Sequence, residues 1–374
     1  MKTMAQIKAF RGLRFNTAKA GDIGSLTCPP YDIISEEQRK AYLEANAPQR
    51  HPFGAAPGGE DPYQEAGRVL DEWKQEGILK RDEKESLYIY EEEFTVKGVT
   101  RKVKGVICLV KLTPFSEGVV LPHEFTLSKA KTDRYNLMKS TFCNFSQIYS
   151  LYMDEQHQTT GKLDRLSQAA PDIELADQEN VTHRLWIITD ETEIASICGD
   201  FNERKLYIAD GHHRYETALN YRNWCRETGK AKEGDAVDYQ MMMLVEMEHP
   251  GLVVFPTHRL VRDLKDFDAA KAMQACARYL ISREKTGTET IEQELSREFQ
   301  KGKNAFAFTR AAKNGRCLRS KPSAPIKELL PNASEATQGA RRYRFTYAGA
   351  WKSLFGIDAE NMAQQINLTY TKNL

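Results

Sequence analysis

Behind Asp61-Pro62, the residues Tyr63, Ala66, Leu70 and Trp73 recur at helical spacing. Asp61 serves as the N-cap, and proline suits the first helical position because its missing N–H would go unused there. Gly77 ends that helix. Earlier, Ser35 and Gln38 form a capping box that opens a helix through about Ala45. The period then changes from helical to alternating. Ser86 to Phe94 and Val103 to Leu112 read as two strands flanking Lys97-Gly98, a hairpin turn. Asp133 to Ser140 reads as helix. Phe145 to Met153 and His183 to Thr189 read as strands with a polar helical stretch between them, and Glu191 to Asp200 as a short helix. Lys205 to Ala209 is a short apolar strand that runs into Asp210-Gly211-His212-His213-Arg214 and a helix through about Thr228. Tyr239 to Met247 and Leu252 to Phe255 read as buried strands, the latter ending at Pro256-Thr257-His258-Arg259. Beyond about residue 265, helices near Asp268 to Leu280 and Thr290 to Phe299 precede short strands around Phe306, Leu318 and Phe345. This mixed order predicts an α+β or α/β fold.

A chain of 374 residues exceeds one ordinary domain. The shift in composition predicts a core domain over 1–265 and a smaller basic α+β domain over 266–374. Net charge is +1, from 53 Lys+Arg against 52 Asp+Glu, which argues against a protein that coats nucleic acid non-specifically. Locally the balance differs: residues 301–350 hold eleven Lys/Arg and two acids, Glu328 and Glu335. That stretch is either a docking face for nucleic acid or a protein partner, or a solvated face balanced elsewhere. No run of about 18 apolar residues is present, so no membrane partner is expected. Met1 to Phe10 lacks the apolar core of a secretory signal. Seven cysteines are scattered and never paired as C-x-x-C, which suits reduced thiols in a cytoplasmic protein.

The strongest chemical signal is Leu206 to Leu219. An apolar strand ends in an acid, a glycine permits a tight turn, and a helix begins. The N–H groups of a first helical turn carry partial positive charge and suit a phosphate. Arg214 can add a bidentate bond to an anion. Asp210 can hold a metal, a hydroxyl or the arginine. His212 and His213 can donate to phosphate oxygens or move protons. The plainer alternative is an N-cap with surface histidines. A zinc site is a third alternative, although metal-binding histidines on helices are usually spaced i, i+4.

Three further segments carry candidate chemistry. In Pro122-His123-Glu124-Phe125-Thr126, Glu124 is a candidate general base, and Lys131 and Arg134 after it are candidate phosphate ligands. His258 and Arg259 follow an apolar run, and ligands collect at strand ends. In Pro29-Pro30-Tyr31-Asp32, Tyr31 can stack on a ring and Asp32 can hold a hydroxyl. Each segment has a structural alternative: a polar loop, an anchoring arginine and a rigid turn.

These motifs occur together, in this order, in one group. P-P-Y-D at Pro29 to Asp32, P-H-E-x-T at Pro122 to Thr126, K-x-D-R at Lys131 to Arg134, the run Tyr207 to Ala218 and P-T-H-R at Pro256 to Arg259 resemble the domain of unknown function 1015 family. The likeness covers nearly the whole chain and is weakest over its last hundred residues. The D-G-H-H-R turn is also similar to the nucleotide-binding signature of the ParB/sulfiredoxin-like fold, and most of all to its free-serine kinase branch. That likeness implies a nucleotide-binding core over about 119–260, with Asp210 to Arg214 at the phosphates and an upstream catalytic glutamate. Glu124 is the candidate for that acid, although its distance from Asp210 is longer than in those kinases. The position before His213-Arg214 is His212 and not cysteine, which argues against sulfinic-acid reduction.

The expected activity is nucleotide-dependent phosphoryl transfer to a small hydroxyl substrate. ATP or ADP would be the cofactor, with magnesium as a possible companion. Glu124, Asp210 and His212 would be catalytic, and Gly211, His213, Arg214, Lys131 and Arg134 would bind phosphate. Tyr31, Asp32, His123, His258 and Arg259 would line the cleft. Two alternatives stay open: a nucleotide-sensing module that docks DNA or a protein partner, and a phosphatase-like hydrolase of a small phosphorylated metabolite.

Overall fold

The computed structural model describes residues 4–28, 34–45, 61–96, 98–123, 128–177, 179–254, 258–265, 267–268, 270–271, 274, 280–286, 288–302, 305–310, 314–320, 355–357, 361 and 366–371. The chain forms two compact units, Met1–Val253 and Val254–Leu374. The strand carrying His258 and Arg259 therefore belongs to the second unit, whereas a division at 265 would put it in the first.

The first unit is mixed α+β, built on a nine-stranded sheet. Its strands in chain order are β1 (Ile7–Lys8), β2 (Leu87–Val96), β3 (Val99–Lys111), β4 (Val120–Leu121), β5 (Ile148–Tyr152), β6 (Ile173–Ala176), β7 (Thr182–Ile188), β8 (Leu206–Asp210) and β9 (Tyr239–Glu246). Across the sheet the order is β4-β8-β5-β9-β3-β2-β7-β6, with β1 pairing β3. The β2–β3 hairpin turns beside Gly98, whose φ of 77° is open to glycine at little cost. β8 runs parallel to β4 and antiparallel to β5, and β9 runs parallel to β5 and antiparallel to β3.

Side chains alternate across the sheet, as a period of two requires. On one face Leu87, Ile89, Val106, Cys108, Ile148, Leu206, Ile208, Met242 and Leu244 form the main core. Helix α3 (Gln158–Leu166) contributes Leu163 to it, α4 (Glu191–Asp200) contributes Ile197, and α5 (His212–Glu227) contributes Tyr215 and Ala218. On the other face Val103, Met243 and Val245 pack with half-buried Tyr90, Tyr149 and Leu151. Two more helices flank α5's layer, α1 (Pro62–Gln75) and α2 (Ser128–Thr141). α1 packs on α2 and α2 on α5.

The expected caps are present. Ser35 Oγ accepts the Gln38 N–H at 3.2 Å, and Gln38 Oε1 accepts the Ser35 N–H at 2.9 Å. Asp61 Oδ1 accepts from Tyr63 N at 2.9 Å. The five cysteines described with side chains, Cys28, Cys108, Cys143, Cys198 and Cys225, are free thiols. Among the described residues no helix is long and apolar enough to cross a membrane.

One expected strand is absent. Residues 252–254 are irregular, and Val254 is 86% exposed. Three apolar residues in a row do not make a strand unless an unpaired sheet edge lies within reach, and the strand instead begins at His258. In the second unit His258–Val261 pairs antiparallel with Leu368–Thr371. A three-stranded antiparallel sheet orders Leu280–Thr286, Asn314–Ser320 and Ala305–Arg310 around the central Asn314–Ser320. Helix Thr288–Gln300 buries Ile291, Glu294 and Glu298. Residues 303–304, 311–313 and 321–354, most of the basic stretch, lie outside the described residues.

Candidate functional site

The site is assembled where β8 gives way to α5. The register of β8 against β5 shifts between Ile208 and Asp210. An irregularity of this kind bends the strand and re-aims the side chains that follow it. Asp210 is turned outward, its side chain 75% exposed. Gly211 then takes φ 98° and ψ 27°, a left-handed conformation that a Cβ would strain. It is the N-cap residue, and as a glycine it has no side chain with which to cap the helix. The first turn of α5, His212-His213-Arg214, thus presents the positive end of a 16-residue helix beside an exposed carboxylate.

Arg214 bridges two elements. Its guanidinium pairs with Asp210 and donates to the carbonyl of Gln147, just ahead of β5. Lys131 and Arg134 come from α2. Lys131 Nζ bonds Glu216 Oε2 of α5 at 2.8 Å. Tyr63 of α1 donates to Asp133 Oδ1 at 2.9 Å and ties α1 to α2. α1 approaches α2 closely at Gly67, where a Cβ would lie 2.6 Å from the Ser140 carbonyl oxygen. This close packing fixes the helix that carries the two cations.

The two histidines of the turn differ. His212 is 2% exposed, and its Nε2 accepts the His123 N–H at 3.2 Å. The rings of His123 and His212 meet edge to face, with centroids 4.5 Å apart. Burial foremost, and then the neighbouring His123, push the His212 pKa down to about 4. His212 is therefore a neutral acceptor near pH 7, and it anchors the segment ending at His123 to the helix start. A proton-carrying role, as expected from the sequence, does not match this environment. The His213 pKa is lowered by burial and then by Arg134, with Lys131 adding to the effect. A neutral His213 keeps one ring N–H to donate.

Asp210, Gly211, His212, His213, Arg214, Lys131, Arg134 and His123 thus gather around one helix start. Tyr31, Asp32 and Glu124 lie outside the described residues. His258 pairs with Thr371 and Arg259 with Tyr370 on a strand of the second unit. They begin a strand there, so the reasoning that placed them at the end of one does not hold. Among the described residues no group of three or more His, Cys, Asp and Glu is gathered to hold a metal ion.

A cavity beside this turn was not anticipated from the sequence. Arg134, Leu137, Met138, Cys143, Phe145, Arg214, Thr217 and Gln240 are among the side chains that line a cavity of about 70 Å³ between α2, α5 and the start of β9. The signal available in the sequence was weak: a threonine and a glutamine in otherwise apolar stripes.

A sheet of mixed direction, ending at a glycine-hinged strand-to-helix turn ringed by basic residues, defines an α+β protein with a candidate anion site. The family described as Protein of unknown function (DUF1015) matches residues 7–356, and the chain belongs to that family. No curated protein and no solved structure matches it.

Proposed function

We propose that the first unit is a nucleotide-dependent phosphotransferase acting on a small hydroxyl compound, with the phosphates held at Asp210 to Arg214. The observation that carries this reading is the start of α5 at Gly211, where Arg214, Lys131 and Arg134 gather beside the exposed Asp210 carboxylate. Phosphoryl transfer depends mainly on positioning and on neutralising negative charge, and such a cradle supplies both. Incoming phosphate oxygens would compete with Asp210 for Arg214 and with Glu216 for Lys131. A neutral His213 would donate an N–H. The exposed Asp210 carboxylate, once released from Arg214, suits a magnesium ion, which commonly takes one or two carboxylates together with phosphate oxygens. When bound, the ion would supply charge neutralisation. Glu124 is proposed to take the proton from the acceptor hydroxyl. The D-G-H-H-R turn is the feature on which we extend the reading to the ParB/sulfiredoxin-like fold.

The test is thermal denaturation with nucleoside di- and triphosphates, with and without magnesium, on the wild type, Arg214→Ala and Arg134→Ala. A ligand at about 100 times its Kd adds roughly 2.7 kcal/mol. That raises Tm by roughly 5–10 °C for a unit of this size. The shift is expected in the wild type and is expected to fall in both variants. Glu124→Gln should keep the shift and lose phosphoryl transfer. Phosphate release without an acceptor would favour the hydrolase, and binding without turnover would favour the sensing module. A flat nucleotide panel would end the phosphoryl-transfer reading.

A further inference from the structure

The cavity beside the turn contains two polar atoms that the protein leaves unsatisfied. Thr217 on α5 is 1% exposed and Gln240 on β9 is 2% exposed. Neither Thr217 Oγ1 nor Gln240 Oε1 has a hydrogen-bond partner. Both residues line the cavity. Two threonines at helix ends show the bond that a helical hydroxyl can make. Thr141 Oγ1 bonds the Leu137 carbonyl at 2.8 Å, and Thr228 Oγ1 bonds the Trp224 carbonyl at 2.7 Å, each four residues back. That local bond is the usual resort of a hydroxyl inside a helix, and Thr217 Oγ1 forgoes it. Gln240 sits in a strand that otherwise buries Met242, Met243, Leu244 and Val245. Its amide nitrogen reaches only the Met241 carbonyl, at 3.4 Å. Buried polar atoms of this kind normally have partners, so two in the wall of one cavity point to a missing molecule.

The cavity's chemistry restricts that molecule. Gln240 Oε1 needs a donor, and Thr217 Oγ1 can both donate and accept. A hydroxyl group answers both needs. The charged side chains in the described lining are Arg134 and Arg214, both cationic, which suits a carboxylate. Leu137, Met138 and Phe145 supply an apolar wall that suits a short carbon chain. The volume of about 70 Å³ is several times the roughly 10–15 Å³ that one water occupies. It therefore admits a molecule of a few carbon atoms and excludes a nucleotide.

We propose that this cavity binds a small monocarboxylate bearing a hydroxyl group, its carboxylate toward Arg134 and Arg214 and its hydroxyl toward Thr217 and Gln240. The binding follows from the cavity alone. The shared Arg214 lies in both sites and would sense both ligands.

The experiment is calorimetric titration of the full chain with glycolate, lactate and glycerate. Acetate and propionate serve as controls without the hydroxyl, and glycerol as a control without the carboxylate. The same titrations are run on Thr217→Val and Gln240→Met, each close in shape to the residue it replaces. A hydroxy acid is expected to bind about tenfold or more tightly than its hydroxyl-free counterpart, and each variant is expected to lose about that factor. Both variants should nevertheless melt at or above the wild-type temperature without ligand, since each removes an unsatisfied buried oxygen. That pairing of lost binding with retained stability excludes misfolding as the cause. Equal binding of hydroxy acids and plain acids would overturn the proposal. So would unchanged binding in both variants, or no heat with any probe. Nucleotide binding is measured in parallel: nucleotides without hydroxy acids would remove this inference and leave the phosphotransferase reading. Hydroxy acids without nucleotides would do the reverse.

Discussion

Substituting His212 tests how the turn is held together. His212 Nε2 accepts the backbone N–H of His123, and the ring is buried at the start of α5. An imidazolium there would lose its acceptor lone pair and carry a charge into a desolvated position. The folded pKa of about 4 lies below the ordinary value of 6.5, so as pH falls the unfolded chain takes up this proton first. Stability therefore declines as pH drops from 6.5, and the loss is complete only below the folded pKa. The full gap corresponds to roughly 3 kcal/mol, of which about 1.4 kcal/mol is lost by pH 5.5 and about 2.5 kcal/mol by pH 4.5. His212→Gln keeps an acceptor for the His123 N–H but has no charge to gain. Urea denaturation of both proteins from pH 7 to pH 4.5 should show the wild type losing about 2–3 kcal/mol more than the variant. His213 and His249, whose pKa values are also lowered, remain in both proteins, so their shares largely cancel in the difference. Parallel pH profiles would refute the argument, because they would mean that the ring titrates alike folded and unfolded. Nitrogen-15 shifts of the ring give an independent check, showing an unprotonated Nε2 at pH 6 if the reasoning is right.

Three further substitutions test the scaffold, one at the opposite end of β5 and two beside the site. Asp154 is 3% exposed and accepts the N–H groups of Gln158, Thr159 and Thr160 at 2.9–3.1 Å together with Arg204 at 2.5 Å. Asp154→Ala should cost about 3–5 kcal/mol in urea denaturation, because it strands a largely buried guanidinium. Gly211→Ala places a Cβ 3.0 Å from Arg214 Nε at φ 98°, so about 1–3 kcal/mol of stability should be lost and any nucleotide-induced Tm shift should shrink. Gly67→Ala meets the Ser140 carbonyl at 2.6 Å. It should lower stability by about 1–3 kcal/mol through overpacking, and should weaken nucleotide binding by displacing Lys131 and Arg134 on α2.

How much of this was legible in the sequence depended on how local the deciding chemistry is. The capping box at Ser35, the Asp61-Pro62 helix start, the hairpin at Gly98 and the turn at Gly211 are set by residues a few positions apart, and the structure has each of them. β6 (Ile173–Ala176) was not anticipated. It is four residues long with only Ile173 and Leu175 even half-buried, and its identity as a strand comes from pairing with β7. The opposite error occurred at Leu252 to Phe255, where an apolar run has no partner strand in residues 252–254. β1 is two residues long and exists because Val110 and Leu109 lie across from it, about a hundred positions away.

The same distinction governs the site. The strand-to-helix turn itself could be read, because the apolar run, the glycine and the helix that follows lie next to one another in the chain. The environment of His212 could not, since a histidine that donates to phosphate and one that accepts from a loop look alike in sequence. Nor could the cavity, because Thr217 and Gln240 are ordinary residues until packing leaves their oxygens without partners. A polar residue in an apolar stripe is the trace that sequence retains of such a site. Thr217, beside Ala218 on the buried side of α5, and Gln240, at the head of a methionine-rich strand, both fit it. Core packing alone would favour an apolar side chain at either position, since a buried oxygen without a partner costs stability. Their presence is therefore better explained by something the cavity holds than by the fold it belongs to.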